Sequence, residues 1–435
     1  MELDRQPVRS EYRLNEDNEL RLEIGNEDVI VELVEGVAEV FGTPLAVHKR
    51  YTFPPGFRCS IFTYQGALVE IIGKTESAYI ATQTPMAIYL NTHYGLEMHR
   101  QIALKKLAMG DLTARGPRIL LTGPMDVGKS TVSRILLNYA IRFGHTPIYV
   151  DLDPGQGQIS IPGTVSALLV CKPADIVENF DRTSTLAFSL GSTSPALNIE
   201  YYKHLIQTVA NLVDEKCAFS PRINASGVVI NTCGWIKDSG YHALLVASKA
   251  FKVDIVVVLD NELLFNNFKK DLPNFVKIVH EPKSGGVEVR STAQRAASRN
   301  RCIQNYFYGT KHSPFHPFTI EFSYAKSEEE QELYIARVGT DKLPDSCLPF
   351  GMTVEDHRTK VVRVSIDSSL KDKVLALMPA NAAIDQSLIS TPAIGFIVIT
   401  DVDVEKKTFT ILSPQPQPLP TRLALYTDVS FIDDS

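Results

Sequence analysis

Eight consecutive residues have the types and spacing of a loop that binds phosphate. Residues 123–130 read GPMDVGKS, a complete G-x-x-x-x-G-K-S. In such a loop the glycines let backbone N–H groups surround a β-phosphate, the lysine ammonium reaches the β and γ oxygens, and the serine hydroxyl binds Mg²⁺. The sequence therefore predicts an ATP site. Its residues are Gly123, Pro124, Met125, Asp126, Val127, Gly128, Lys129, Ser130 and Thr131.

The residues on both sides of this loop decide whether the motif forms a real site. Residues 118–122 predict a buried strand before the loop, and Val132, Ile135 and Leu136 follow it at helical spacing. The loop would then lie at the N-terminus of a helix, where the positive end of the helix dipole stabilises an anion. This order favours a phosphate site over a chance glycine turn.

Two carboxylates follow the next predicted strand, residues 147–152. Asp151 and Asp153 are two residues apart, so on an extended strand they share a face and point toward the same metal and substrate region. A carboxylate at this strand end is what the metal side of such a site requires, so Ser130 and Asp151 are the predicted Mg²⁺ ligands. The alternative for both carboxylates is an ordinary helix cap or turn residue.

Polar or aromatic residues also follow two later predicted strands. Thr193 lies in the turn GSTSP at residues 191–195, for which an ordinary hydroxyl-rich turn is the alternative. Trp235, the only tryptophan in the chain, follows the predicted strand at residues 227–231. Open α/β sheets bind ligands at the carboxyl ends of their strands, so Trp235 is either a stacking platform for a base or sugar, or a core residue.

Basic residues cluster after a Gly-Gly pair at residues 285–286. Arg295 and Arg299 are four residues apart and would share a helix face, and Arg290 precedes them. One guanidinium group can donate two parallel hydrogen bonds to phosphate oxygens. This segment therefore predicts a mobile arginine lid that stabilises a transferring phosphoryl group. The alternative is a solvated basic helix.

Composition and missing motifs exclude several other classes of protein. Among 435 residues, 50 acidic and 44 basic side chains give a net charge of -6, so any nucleic-acid site must be local. The apolar runs have strand length, far short of the ~20 residues that span a bilayer. Six scattered cysteines without a C-x-x-C pair argue against disulfides and zinc. The strand at residues 253–260 is not followed by the N-K-x-D segment that reads guanine, which disfavours a GTPase.

Changes of hydrophobic period divide the chain into three predicted domains. Residues 1–93 alternate apolar and polar positions between glycine turns, as in a β-sandwich or small barrel. Residues 94–312 begin with a predicted helix at 95–109 and then alternate apolar strands with helices, as in a parallel sheet covered on both faces. Residues 313–435 are β-rich, with one predicted helix at 371–377 and an extended proline-rich connector at 414–420.

The predicted fold class is therefore a multidomain α/β protein. A central P-loop NTPase domain with a parallel sheet is flanked by an N-terminal β-sandwich and a smaller, mixed β-rich C-terminal domain. The strands predicted in the C-terminal domain are residues 318–322, 361–366, 395–399, 408–412 and 422–426.

Four stretches resemble a known family. They are GPMDVGKS at 123–130, YVDLDPGQGQISIPG at 149–163, NTCGWIKDSG at 231–240 and LPDSCLPFGM at 343–352. They resemble the polyribonucleotide 5′-hydroxyl kinase shared by the pre-mRNA 3′-end cleavage factor and the tRNA-splicing machinery. The resemblance covers nearly the full length, and that family has the same order of three domains.

The resemblance implies an ATP- and Mg²⁺-dependent kinase that transfers the γ-phosphate to the 5′-hydroxyl end of RNA. It implies action in mRNA 3′-end processing and tRNA splicing, a nuclear location, partners among the subunits of the cleavage factor and of the tRNA splicing endonuclease, and no membrane. The implied catalytic residues are Lys129, Asp153, Arg290, Arg295 and Arg299, with Asp153 taking the proton of the 5′-hydroxyl. The implied binding residues are Glu16 for the base of ATP, and Gln156, Thr193 and Trp235 for the RNA end.

Two other functions compete with this kinase. The first is an ATP-loaded scaffold without catalysis in an RNA 3′-end processing complex. The presence of Lys129, Ser130 and Asp153 beside three lid arginines favours the enzyme, since a scaffold does not need a base beside an arginine fork. The second is a small-molecule nucleoside kinase, which accounts for the loop but not for two flanking β domains.

Overall fold

The structure is a computed structural model that describes residues 8–311, 313–323, 333–340 and 357–432. Three domains follow one another along the chain. The stretch at residues 343–352 that contributes to the family resemblance lies outside the described residues. In the described part of the chain, no helix combines the length and the apolar character needed to cross a membrane.

The N-terminal domain is a β-sandwich, as predicted. Two antiparallel sheets, ordered β1-β8-β3-β6 and β5-β4-β7-β2-β9, bury alternate side chains of both in one core. The strands are β1 (Arg9–Leu14), β2 (Glu19–Ile24), β3 (Val29–Gly36), β4 (Glu39–Val40), β5 (Thr43–Pro44), β6 (Arg50–Phe53), β7 (Arg58–Phe62), β8 (Ala67–Ile72) and β9 (Thr75–Ala81).

A long helix joins this domain to the next. Helix α1 spans Met86–Ala108, so it begins well before the predicted residue 95 and contains the predicted domain boundary at 93/94. Its first half is rich in aromatic and polar residues with little helical pattern, and burial of Tyr89 and His93 there, at 3% and 1% exposure, favours the helix through tertiary packing.

The central domain is an α/β unit with a seven-stranded sheet in the order β13-β12-β11-β14-β10-β15-β16. Six of these strands run in one direction, and five of them form the predicted parallel sheet; β12 alone among the seven is reversed, antiparallel to β11 and β13. The elements are β10 (Arg118–Thr122), α2 (Lys129–Arg142), β11 (Ile148–Leu152), β12 (Thr164–Leu169), β13 (Leu186–Ser189), α3 (Ile199–Phe219), α4 (Pro221–Ser226), β14 (Val228–Thr232), α5 (Ser239–Ala250), β15 (Ile255–Leu259), α6 (Glu262–Asp271), β16 (Lys277–Glu281) and α7 (Thr292–Tyr308).

The C-terminal domain contains a seven-stranded mixed sheet in the order β17-β22-β21-β20-β23-β18-β19. The helix predicted at residues 371–377 is wrong, because β20 occupies this segment. Its Val374, Leu375 and Ala376 are fully buried, so this strand is apolar on both faces and lacks the alternation that identifies a strand. The strands are β17 (Phe318–Ser323), β18 (Tyr334–Val338), β19 (Val361–Arg363), β20 (Lys373–Leu377), β21 (Gly395–Asp403), β22 (Thr408–Ser413) and β23 (Leu423–Ser430).

The C-terminal domain also contacts loops at the edge of the central sheet. The backbone N–H of Asp428 donates to the carbonyl oxygen of Gly191 at 2.7 Å. A Cβ added to Gly163 would lie 2.8 Å from a methyl group of Val429, so β23 packs directly against this loop. The two domains therefore share a backbone hydrogen bond next to the turn that carries Thr193.

Candidate functional site

The predicted phosphate loop connects β10 to α2, and its glycines are required by the geometry. Gly123 has a φ of 150°, and a Cβ there would lie 2.6 Å from the carbonyl oxygen of Leu259. Gly128 has a φ of 91° immediately before α2 begins at Lys129. A side chain at either position would strain the loop, which must stay close to the backbone of β15.

The other residues of the loop divide between core and surface. Val127 is buried beneath the loop, whereas Met125 is 62% exposed and Pro124 is half-buried. Thr131 is half-buried in the first turn of α2. The loop is therefore fixed from below by its apolar residue and open above, where a ligand would lie.

The Lys129 ammonium lies against its own loop. It is only 7% exposed, and Nζ donates to the carbonyl oxygens of Gly123 at 2.9 Å and Pro124 at 2.6 Å. Burial lowers the pKa of Lys129, and the nearby Asp153 carboxylate opposes this shift. Both acceptors are neutral carbonyls, so the positive charge of Lys129 is available to an anionic phosphate.

The two predicted metal ligands come together through an asparagine. Asn231, in β14, donates from Nδ2 to Asp151 Oδ1 at 3.0 Å and to Ser130 Oγ at 3.2 Å. Asp151 is 1% exposed and also accepts from the backbone N–H of Gln158 at 2.7 Å. Burial raises the pKa of Asp151 to about 7, and the neighbouring Asp153 charge adds to the shift.

This set of oxygen atoms fits a magnesium ion. Carboxylate, hydroxyl and amide oxygens are hard ligands, and the Oδ1 atom of Asn231 is buried without a hydrogen-bond partner among the described residues. Those residues contain no group of three or more His, Cys, Asp or Glu side chains able to hold a metal. A metal at Ser130 and Asp151 would therefore take its remaining ligands from phosphate and water, as Mg²⁺ commonly does.

Asp153 lies just beyond β11, within a turn. Its Oδ1 accepts from the backbone N–H groups of Gly155 at 2.9 Å and Gln156 at 3.1 Å, so it does form a turn, yet no described residue donates to its Oδ2. Burial raises the pKa of Asp153, while the charges of Lys129 and Arg290 and the two N–H bonds oppose the rise. One carboxylate oxygen thus remains to accept a proton.

Two of the three residues predicted to bind the RNA end, Thr193 and Trp235, lie near this carboxylate and the phosphate loop. A Cβ at Gly155 would lie 3.0 Å from the carbonyl oxygen of Thr193 and 3.4 Å from Asp153 Oδ1, which brings the Thr193 turn beside Asp153. Trp235 is half-buried and follows Gly234, whose backbone packs tightly on Met125 of the loop. Trp235 is therefore not fully buried, and its stacking role stays a prediction.

The predicted arginine lid crosses the phosphate loop and continues into α7. The helix begins with a capping box between Ser291 and Gln294. Val287 contacts the loop, since its Cγ2 would lie 3.3 Å from a Cβ at Gly128. Arg290 and Arg295 both pair with the Asp126 carboxylate, whereas Arg299, one turn further along the same face, forms no hydrogen bond or ion pair with a described residue.

Side chains from two neighbouring regions contact the lid. Gln156 donates from Nε2 to the backbone oxygen of Arg295 at 3.3 Å, which ties it to the lid rather than to an open surface. From the N-terminal domain, Arg21 lies 3.5 Å from Ser284 Oγ, and Arg58 pairs with Glu288 at 2.8 Å. Both the N-terminal domain and the central domain therefore contact the lid.

Glu16 is exposed in the turn between β1 and β2. The backbone oxygen of Asn18 in this turn accepts from the backbone N–H of Thr63 at 3.2 Å. The hydroxyl of Tyr64, the residue after Thr63, lies 2.9 Å from the hydroxyl of Tyr139 in α2. The turn thus lies on the side of the N-terminal domain that packs on the helix of the phosphate loop. No described residue bonds to the Glu16 carboxylate, and its contact with the base stays a prediction.

Family models match all three domains. The model described as "mRNA cleavage and polyadenylation factor CLP1 P-loop" matches residues 123–309, "N-terminal beta-sandwich domain of polyadenylation factor" matches 13–103, and "Pre-mRNA cleavage complex II protein Clp1" matches 316–433. The Brugia malayi "Protein CLP1 homolog" is 50% identical over 98% of this chain and 96% of its own length. This chain belongs to the Clp1 family. The family resemblance predicted from its motifs is thereby confirmed.

Other Clp1 proteins are similar over their whole length. The Homo sapiens "Polyribonucleotide 5'-hydroxyl-kinase Clp1" is 44% identical, covering 99% of this chain and 98% of its own. The solved structure of wild-type Clp1p in complex with Pcf11p superimposes with a TM-score of 0.81 at 22% identity, over 99% of this chain and 100% of that one. At this identity the structural match establishes the fold alone.

Two features of this Clp1 site are not apparent from residue spacing. Asn231, which links Ser130 to Asp151, was visible in the sequence only as a polar residue ending a predicted strand. Asp126 is a variable position of the loop motif, so its carboxylate carried no predicted role beyond that of the loop. Each of the two bonds to residues that are far from it in sequence: Asn231 to Ser130 and Asp151, and Asp126 to Arg290 and Arg295. These contacts form only when the chain folds.

Proposed function

We propose that this protein is an ATP-dependent kinase that transfers the γ-phosphate of ATP to the 5′-hydroxyl end of RNA. One observation carries the proposal: a buried carboxylate, Asp153, lies close to the Lys129 ammonium of a complete phosphate loop and beneath an arginine lid. Full-length relatives are named polyribonucleotide 5′-hydroxyl-kinase, which supports the same activity here.

Asp153 is the proposed general base. Its carboxylate accepts the proton of the 5′-hydroxyl while that oxygen forms a bond to the γ-phosphorus. The bond between the γ-phosphorus and the bridging oxygen breaks, which leaves ADP and a 5′-phosphorylated RNA. Burial raises the pKa of Asp153 above that of a free aspartate, and a carboxylate with a raised pKa is a stronger base at neutral pH.

Cationic residues stabilise the charge on the transferring group. Among the described residues, only carbonyl oxygens accept hydrogen bonds from the Lys129 ammonium. Arg290 is close enough for its charge to lower the pKa of both Lys129 and Asp153. Positive groups fixed in place before the reaction contribute most to phosphoryl transfer, because little covalent chemistry falls to the protein.

Ser130 and Asp151 would hold a magnesium ion, which neutralises charge on the β and γ oxygens when bound. Asn231 orients both groups by donating to each of them. Burial raises the pKa of Asp151, and a bound cation would favour its ionised form.

Thr193 and Trp235 are the proposed contacts of the 5′-terminal nucleotide, with Gln156 beside them. Every base has a π-face, so stacking on Trp235 would accept any 5′-terminal base. Glu16 is the proposed contact of the ATP base, on the side where the first two domains meet.

The direct test is incubation with ATP labelled on its γ-phosphate, Mg²⁺ and short RNA or DNA oligonucleotides with a 5′-hydroxyl. We expect label at the 5′ end of RNA, no label on oligonucleotides already phosphorylated at that end, and loss of transfer in EDTA. ATP binding without transfer to any oligonucleotide would favour the scaffold instead.

We also propose a nuclear location and partners among subunits of the mRNA 3′-end cleavage factor and the tRNA splicing endonuclease. The structure of a related Clp1p with Pcf11p supports the first group of partners. Purification of the tagged chain from nuclear extract, followed by identification of the bound proteins, tests both groups. Recovery of cleavage-factor subunits without endonuclease subunits would restrict the proposal to the first.

A further inference from the structure

One carboxylate of the phosphate loop contacts the lid three times. Asp126 Oδ2 accepts from the backbone N–H of Arg290 at 3.1 Å and pairs with Nη2 of Arg295. Asp126 Oδ1 lies 3.5 Å from Nε of Arg290. The Asp126 side chain is only 6% exposed, so the charge-assisted bonds compensate its lost hydration.

The two arginines use different groups in these contacts. Arg295 gives its guanidinium to Asp126, and its own side chain is 21% exposed. Arg290 gives its backbone N–H and approaches only with Nε, so its terminal nitrogens bond to no described residue, and its side chain is 45% exposed. The charge of Arg295 is therefore largely neutralised by Asp126, whereas that of Arg290 reaches Lys129 and Asp153.

We propose that Asp126 is a positioning residue that anchors the lid through Arg295, so that Arg290, and not Arg295, contacts the transferring phosphoryl group. The inference rests on the proposed kinase function. Arg299 lies one helical turn further along and forms no hydrogen bond or ion pair with a described residue, so it takes no part in this anchor.

The opposite role for Asp126 makes opposite predictions. If phosphate displaced Asp126 from Arg295 during the reaction, the carboxylate would compete with ATP for the same guanidinium. Loss of the carboxylate would then strengthen ATP binding or raise kcat. An anchor lost by the same substitution lowers kcat, because the lid no longer holds Arg290 over the loop.

The kinetic experiment compares Asp126→Asn, Arg295→Ala, Arg295→Lys, Arg290→Ala and the double variant Asp126→Asn/Arg295→Ala in the full chain. We expect Asp126→Asn and Arg295→Ala each to lower kcat about tenfold, the double variant to be no worse than either within about twofold, and Arg290→Ala to lower kcat more than Arg295→Ala. Arg295→Lys should keep at least about a third of kcat, since a lysine can pair with Asp126 but cannot replace a phosphate fork.

The inference is overturned if Asp126→Asn raises kcat or tightens ATP binding. It is also overturned if Arg295→Ala lowers kcat by the same factor in the Asp126→Asn background as in the wild type. It is also overturned if Arg295→Lys is as inactive as Arg295→Ala. The matched control is Glu288→Gln, which removes an exposed lid ion pair with Arg58 and should change kcat less than twofold.

A second measurement is independent of catalysis. Amide hydrogen exchange of residues 283–295 should be at least tenfold faster in Asp126→Asn than in the wild type, and unchanged in Glu288→Gln. Unchanged exchange in Asp126→Asn would overturn the anchor even in an active kinase. If no oligonucleotide is phosphorylated, the proposed function fails, while accelerated exchange would still identify Asp126 as the residue that holds the lid.

Discussion

Replacing Gly240 with alanine should displace Trp235 and weaken RNA binding without changing ATP binding. Gly240 is buried in the first turn of α5. A Cβ there would lie 2.5 Å from Cγ and 2.6 Å from Cδ2 of Trp235 and would overlap its carbonyl oxygen. Nonbonded carbons pack at about 3.5 Å or more, so the indole must move by about 1 Å.

The size of the effect follows from what stacking contributes. A base stacked on an aromatic ring is worth ~1–3 kcal/mol, so full loss of the stack raises the KM for RNA by about 5- to 150-fold. Steady-state rates measured against oligonucleotide and against ATP, below the Tm of each variant, separate the two effects. We expect the KM for ATP of Gly240→Ala to change less than about twofold. The increase in its KM for RNA should be no larger than that of Trp235→Ala, which removes the ring entirely.

Gly95→Ala is the matched control. Gly95 lies within α1, has no positive φ, and a Cβ there meets no atom within 4 Å. Alanine should stabilise that helix by up to about 1 kcal/mol and leave both KM values unchanged. A folded Gly240→Ala variant with an unchanged KM for RNA would refute the stacking role. The same conclusion would follow if Trp235→Ala lowered the Tm but left that KM unaltered.

Other substitutions test the loop, the base and a buried acid. Lys129→Ala should abolish transfer while far-ultraviolet circular dichroism stays unchanged, because the described hydrogen bonds of the ammonium go to two loop carbonyls. A near-normal rate would exclude this loop as the catalytic one. Asp153→Asn should lower kcat by about 10²–10⁴ with unchanged ATP affinity by calorimetry, whereas Asp151→Asn should raise the Mg²⁺ concentration needed for half-maximal rate. The reverse pattern would exchange the two roles. Burial raises the pKa of Glu281 from 4.5 to about 7, with Thr92 its one hydrogen-bond donor in the described chain, so its stabilising contribution is present below pH 4.5 and lost as pH rises through 7. In urea unfolding, the free energy of unfolding of Glu281→Gln should therefore rise by about 3 kcal/mol relative to that of the wild type between pH 4.5 and 8. A difference between the two proteins that does not vary with pH would contradict this pKa.

Features that depend on neighbouring residues were predictable from sequence. The phosphate loop is specified by glycines and a lysine within eight residues, and β10 and α2 on either side of it follow from local apolar patterns. The carboxyl ends of parallel strands meet at one edge of a sheet, which is why Asp151, Asp153 and Trp235 could be assigned to the same region.

Features that depend on tertiary packing were not predictable. The sequence of β20 predicts a helix wrongly, because a short apolar run buried on both faces has no diagnostic period. The reversed direction of β12 depends on how the chain returns across the sheet, which single-strand patterns do not encode. The contacts of Asp126 with Arg290 and Arg295 join residues more than 160 positions apart, so only the folded chain reveals them.

The hydrogen bond from Asp428 to Gly191 brings β23 next to the turn that carries Thr193, a proposed contact of the RNA end. Because Thr193 follows two residues after Gly191, a molecule that shifts β23 acts on the turn that would hold the 5′-terminal nucleotide. Thermodynamic linkage makes any such effect mutual. A protein that binds the C-terminal domain and tightens RNA binding tenfold would itself be bound tenfold more tightly once RNA is present. The affinity of the C-terminal domain for such a protein would then depend on whether a free RNA end is bound.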